Sequence, residues 1–165
     1  MPNSIAEKYL KGSRSAKAIY GIILITATLI GFQFHESEPL TIAASVFIAG
    51  LVIGLAEAYS ELLGEKIRRE KKLNKLERRE IIDHAFVVSS IAVYPVAVFL
   101  VSALGLYSVD VAFDISFGLS IIGLGLFGFS ASRAAGEPRG VSYRKAILIS
   151  LIGAAVILIE YTYAH

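Results

Sequence analysis

The sequence predicts an all-α, polytopic membrane protein with five transmembrane helices, its N-terminus cytoplasmic and its C-terminus external. Two observations carry this. Five long apolar runs, at 18–34, 40–63, 85–107, 111–132 and 146–163, occupy most of the 165 residues, and each falls within the roughly 17 to 25 residues that cross a hydrocarbon layer. All 16 Lys and Arg residues are confined to three alternate segments between or before those runs. Lys8, Lys11, Arg14 and Lys17 precede the first; Lys66, Arg68, Arg69, Lys71, Lys72, Lys75, Arg78 and Arg79 separate the second from the third; Arg133, Arg139, Arg144 and Lys145 separate the fourth from the fifth. The remaining connections and the C-terminus carry His35, Glu36, Glu38, Asp110, Asp114 and His165 instead. Because Lys and Arg are retained on the cytoplasmic side during insertion, the alternation sets a topology as well as a class. A soluble protein with five buried helices would need a core larger than this chain can enclose.

The first run follows a basic stretch, as a signal peptide does, but its exit reads Phe32-Gln33-Phe34-His35-Glu36 rather than a small-x-small cleavage site, so it is expected to remain as a helix. The second run ends in a segment, 64–83, that lacks Pro and is built from Leu, Lys, Arg and Glu. Such composition favours a cytoplasmic helix continuing the second span, with a break near Asn74. Its basic residues alternate with Glu65, Glu70, Glu77 and Glu80, which points to local ion pairs or an anionic lipid surface rather than nucleic acid. In the third run, Pro95 after Tyr94 removes a backbone donor and frees a carbonyl near Ile91, so a kink is expected there. Gly118, Gly123, Gly125 and Gly128 mark the fourth as a tightly packed central helix, which the turn cluster Gly136-Glu137-Pro138-Arg139-Gly140 ends. The short outer connections make helices one and two, and three and four, antiparallel neighbours.

Composition closes off other chemistry. The chain has no Cys, hence no disulfide framework and no thiolate site. It contains no phosphate loop, HExxH or GxSxG motif, so it is not expected to be an enzyme. His35, His84 and His165 fall at membrane edges without partners at metal-ligand spacing.

What hydrocarbon penalises is therefore the guide to function. Glu57 lies about two turns inside the second helix from its cytoplasmic end, and Glu61 follows one turn later on the same face. A carboxylate at that depth costs about 2–3 kcal/mol on insertion scales and must face protein, water or a cation. Gly50 and Gly54 lie on the adjacent stripe and allow another helix to approach there. The expected cation-handling carboxylates are Glu57, Glu61 and Glu65, with Tyr59 or Tyr94 as hydrogen-bond partners of Glu57. Thr26 and Thr28 in the first helix are expected to bond to their own backbone. Hard oxygen ligands favour a divalent metal, as substrate, or a proton.

These residues carry a distant resemblance to the vacuolar iron transporter family of divalent-metal and proton antiporters. The matching stretches are Ala49-Gly50 through Glu57-Ala58-Tyr59, and Gly128-Phe129 through Ala135-Gly136 to Ser150, Gly153, Ala154 and Ala155. The resemblance implies five membrane helices, an internal N-terminus, a second helix extending into the cytoplasm and an acidic segment before the third. In place of the family's first-helix Asp-Gly pair this chain has Ile25-Thr26-Ala27-Thr28, and its second helix has no Met. The resemblance therefore bears on fold more than on iron. The expectation is a transporter or channel-like homodimer in the cell membrane that moves a cation through Glu57. The alternative is a non-transporting scaffold or accessory subunit whose basic segment binds lipid or a partner.

Overall fold

The computed structural model describes residues 2–35, 38–69 and 74–163. Its helices are α1 (Pro2–Gln33), α2 (Pro39–Arg69), α3 (Lys75–Ser90), α4 (Val93–Ala103), α5 (Val109–Ala134) and α6 (Arg139–Tyr163), and no strand occurs among the described residues. Five stretches are long and apolar enough to cross a membrane: Arg14–Gln33, Pro39–Arg68, Ile81–Ala103, Val109–Ala134 and Arg139–Ile159. The fold is thus an all-α, multi-pass membrane bundle in which α3 and α4 together make the third span. Helix is the form such segments must take, because hydrocarbon offers no partner for an unpaired backbone N–H or C=O. Past Leu63, where the second apolar run ends, α2 continues as helix to Arg69, and α3 begins at Lys75, on either side of residues 70–73, which lie outside the described residues. The side chains of Lys8, Lys11, Leu76, Glu77, Glu80 and Glu160 also lie outside them, as does His165.

Chain order is not spatial order. α5 packs on α1, α4 and α6, whereas α2 packs on the α3–α4 span and only lightly on α1. α6 touches little besides α5, and Ile147, Leu148 and Leu151 face outward, where lipid would cover them. The main apolar core lies toward the end away from the basic residues, where Leu29, Ile42, Val46, Phe99 and Phe113 are fully buried. Phe99 and Phe113 meet edge to face with ring centroids 4.9 Å apart.

Two local features shape the half of the bundle that carries the site. Gly50 and Gly54 let α2 approach the third span so closely that a methyl on either would overlap Ala92 or Ser89. This is the close packing that small residues permit between membrane helices. Pro95 breaks the third span one turn ahead of itself, at Ile91 and Ala92, whose amides bond back only three residues, to Val88 and Ser89 at 3.3 and 3.1 Å. The break sets Tyr94 beside Ser120 of α5, whose hydroxyl lies 2.6 Å from the Tyr94 hydroxyl, accepts from Thr26 of α1 at 2.9 Å and donates to the Ser116 carbonyl. Thr28 bonds its own backbone at Leu24, as expected, but Thr26 directs its hydrogen bond to another helix.

The turn from α5 to α6 is tied by its own chemistry. Gly136 adopts φ 89°, a left-handed conformation that costs glycine nothing, and lets Glu137 donate its amide back to the Ser132 carbonyl at 3.2 Å. The Glu137 carboxylate accepts from Lys145 at 2.5 Å and from the Ser132 hydroxyl. The Lys145 hydrogen bond, then that of Ser132, holds Glu137 below its ordinary pKa of 4.5. A depressed folded-state value contributes stability that is present above the unfolded-state pKa and lost as pH falls through the folded one. Acidification through and below pH 4.5 should therefore loosen this turn. Protection of the amides at 135–137, relative to their intrinsic exchange rates, should fall over that range in the native chain, and Glu137→Gln should remove that loss of protection.

Candidate functional site

One ammonium and two carboxylates meet where α1, α2 and α3 converge near the basic end of the bundle. Lys17, in the opening turn of the first span, donates to Glu57 Oε1 at 2.6 Å and to a carboxylate oxygen of Glu61. The acids stand one turn apart on α2, so a single lysine between them reaches both. The three side chains are only 17%, 24% and 29% exposed, in the order Lys17, Glu57, Glu61. From α3, His84 sets Nδ1 3.7 Å from Glu61 Oε1, beyond hydrogen-bond range. His84 is itself only 9% exposed, and its Nε2 has no hydrogen-bond partner among the described residues.

Close approach of the helices is what assembles this cluster. Gly54, one turn before Ala58 on α2, seats that helix against Ser89 and Ala85 of α3, which brings Glu61 to His84. α1 also packs on α3, through Gly21 against Val88 and Ile91, and that places Lys17 over the same seam. With His84 neutral, two carboxylate charges face one ammonium. Among the described residues the cluster then holds one carboxylate more than it has ammonium groups, at partial burial, where an unpaired charge is costly.

No known protein-family model, curated protein or solved structure matches this chain.

The geometry of the cluster separates the expected site residues. Glu57 and Glu61 come together, but on Lys17. Glu65 lies further along α2 and pairs with Arg68. Among the described residues no three His, Asp or Glu side chains converge as a metal-holding group. Tyr59 is 69% exposed and turned away from Glu57, while Tyr94 belongs to the Thr26 and Ser120 hydroxyl group deeper in the bundle, so neither partners Glu57. Neither does Thr28, which caps its own turn. Two members of the cluster, Lys17 and His84, do not stand out in the sequence. Lys17 reads there as part of the basic flank, and the one signal that sets it apart is that it directly adjoins the first apolar run. His84 reads as a membrane-edge residue, yet helix packing buries it against Glu61.

A second feature is a cavity of about 260 Å³ between α1, α5 and α6, lined by Ile19, Ile23, Leu124, Ile152 and Val156 among others. Thr26 and Ser120 border it, but their hydroxyls are engaged with each other. None of the charged cluster lines it, and an apolar space of this kind offers a cation nothing.

Proposed function

We propose that the protein moves a cation across the cell membrane, with its basic end in the cytoplasm and Glu57 as the carboxylate that exchanges partners. The observation supporting this is that two carboxylates, Glu57 and Glu61, share the single ammonium of Lys17 beside His84. Two carboxylates sharing one ammonium leave a place for one further positive charge, either a proton or a cation from the adjoining aqueous face. Ionisable groups at such depth are costly and commonly mark ion pathways. The broken third span and the hydroxyls of Thr26, Tyr94 and Ser120 would supply polar groups beyond the cluster.

The test is ion flux in liposomes under an imposed pH gradient, using Rb⁺ and Mn²⁺ as probes. Native protein should carry one of them with a rate that follows the gradient. Glu57→Gln, which keeps size and hydrogen bonding while removing the charge, should reduce the rate at least about tenfold without loss of insertion. A correctly inserted Gln variant with native flux and unchanged pH dependence would falsify the transport reading.

One observation favours the alternative of a non-transporting scaffold: Lys17 ties α1 to α2 as a structural ion pair would. Under that reading neither probe crosses in the native protein, and the cluster affects stability alone.

A further inference from the structure

The occupant of the acidic pair is a side chain of the protein itself. We propose that the Lys17 ammonium is the tethered occupant of a binding site for a free, singly charged, ammonium-sized cation, and that this cation enters by displacing it. The role in translocation rests on the transport reading above; the site itself does not.

Three observations lead here. The first is that the two carboxylates are already arranged around an ammonium, with Lys17 Nζ 2.6 Å from Glu57 Oε1 and in contact with Glu61. A monovalent cation of similar size can replace that ammonium without changing the charge of the cluster. A hard divalent ion such as Ca²⁺ or Mg²⁺ would ask for about six or more oxygen ligands, and among the described residues the two acids and His84 do not form a group that could hold a metal ion.

The second is the means of release. Lys17 lies three residues past Arg14, where the span begins, so its Cα is only about 4–5 Å of helix rise from that end. Lysine stems of this reach can carry the ammonium outward to the headgroups while the methylenes stay in apolar surroundings. One side-chain rotation therefore alternates between plugging the pair and vacating it. Glu61, the more exposed acid, stands nearer that end, and Glu57 lies deeper, so an arriving cation meets them in that order.

The third is His84. An imidazole nine-tenths buried against Glu61, with Nε2 unpartnered among the described residues, is polar capacity the resting arrangement leaves unused. Unsatisfied buried groups are uncommon because each carries a desolvation cost. Here the ring that carries it stands beside Glu61, with Nδ1 3.7 Å from Oε1.

The test measures binding rather than flux. Lys17→Met keeps the stem and removes the plug. Full-length native and variant protein in detergent would be melted in methylammonium chloride, rubidium chloride or manganese chloride, with choline chloride at equal ionic strength as the control. The expected result is a saturable rise in Tm of about 2–4 °C for Lys17→Met with methylammonium or Rb⁺. Native protein should need far higher concentrations, because its own ammonium competes, and Lys17→Met/Glu57→Gln should lose the response. Should Lys17→Met prove too unstable to purify, Lys17→Gln serves in its place, with the same expected response. Absence of a cation-specific rise in a folded Lys17 variant overturns the assignment, as does stabilisation by Mn²⁺ alone. If methylammonium stabilises Lys17→Met while native liposomes carry no ion, the site stands and the transport reading falls. Loss of flux in Glu57→Gln without any response in Lys17→Met overturns the site and leaves the transport reading standing.

Discussion

Gly50→Ala is expected to cost about 1–3 kcal/mol of stability, the range for forcing an extra methyl into a packed interior. The added methyl would overlap the Ala92 side chain and press on the Ser89 carbonyl, and neither can rotate out of the way. Either α2 must back away from the third span or the turn at Ile91 and Ala92 must shift, and that turn is already wound to three-residue backbone bonds. Gly54→Ala should cost less, because its nearest obstacle is the Ser89 hydroxyl, which can turn aside. The decisive comparison is the double variant. Ala92→Gly removes the opposing methyl, so Gly50→Ala/Ala92→Gly should recover most of the loss, as a thermodynamic cycle on contacting residues would show. Thermal unfolding of the four proteins in one detergent checks this, and a double variant no better than the sum of the singles would show that the contact is not the cause.

Lys17→Met is the second large effect. Removing the ammonium leaves two carboxylates one turn apart in a half-buried seam with no cation between them. Breaking a fully buried pair costs about 3–5 kcal/mol, because the partner is left charged and unpaired. The side chains here are 17–29% exposed, so water screens part of the charge and about 1–3 kcal/mol is the scale to expect. Glu57→Gln made in the Lys17→Met background should restore most of it, since Glu61 is the more exposed acid and is better solvated alone. Additive losses in that double variant would mean that Lys17 acts through its methylene packing and not through charge.

Both effects depend on features that the sequence displays unevenly. Gly50 and Gly54 stand out as a small-residue stripe at helical spacing, and the carboxylates beside it stand out because hydrocarbon penalises them wherever they point. Pro95 announces its break one turn upstream, since the missing N–H and the ring clash act on the preceding turn regardless of what surrounds the helix. The partners of these residues are not legible. Tyr59 follows Glu57 by two positions, and on a helix that spacing carries it away from the carboxylate, to where it is 69% exposed. Thr26 has an available carbonyl in its own helix, and bonds Ser120 instead because α5, rather than α2, is the main neighbour of α1.

By itself, the sequence determined that this chain is an all-α bundle with five helices able to span a membrane, and that its cations gather at alternate connections. Span length and charge placement are local quantities, summed along the chain, and no packing arrangement can reverse them. The tertiary structure alone decided that Lys17 closes on Glu57, 40 residues away, and on Glu61, while His84 leans on the same acid. Such a meeting depends on which helices are neighbours and how each is rotated about its axis. Those are set by the fit of whole surfaces, glycine seams against β-branched and aromatic ridges, and a one-dimensional pattern of apolar and charged residues does not specify them.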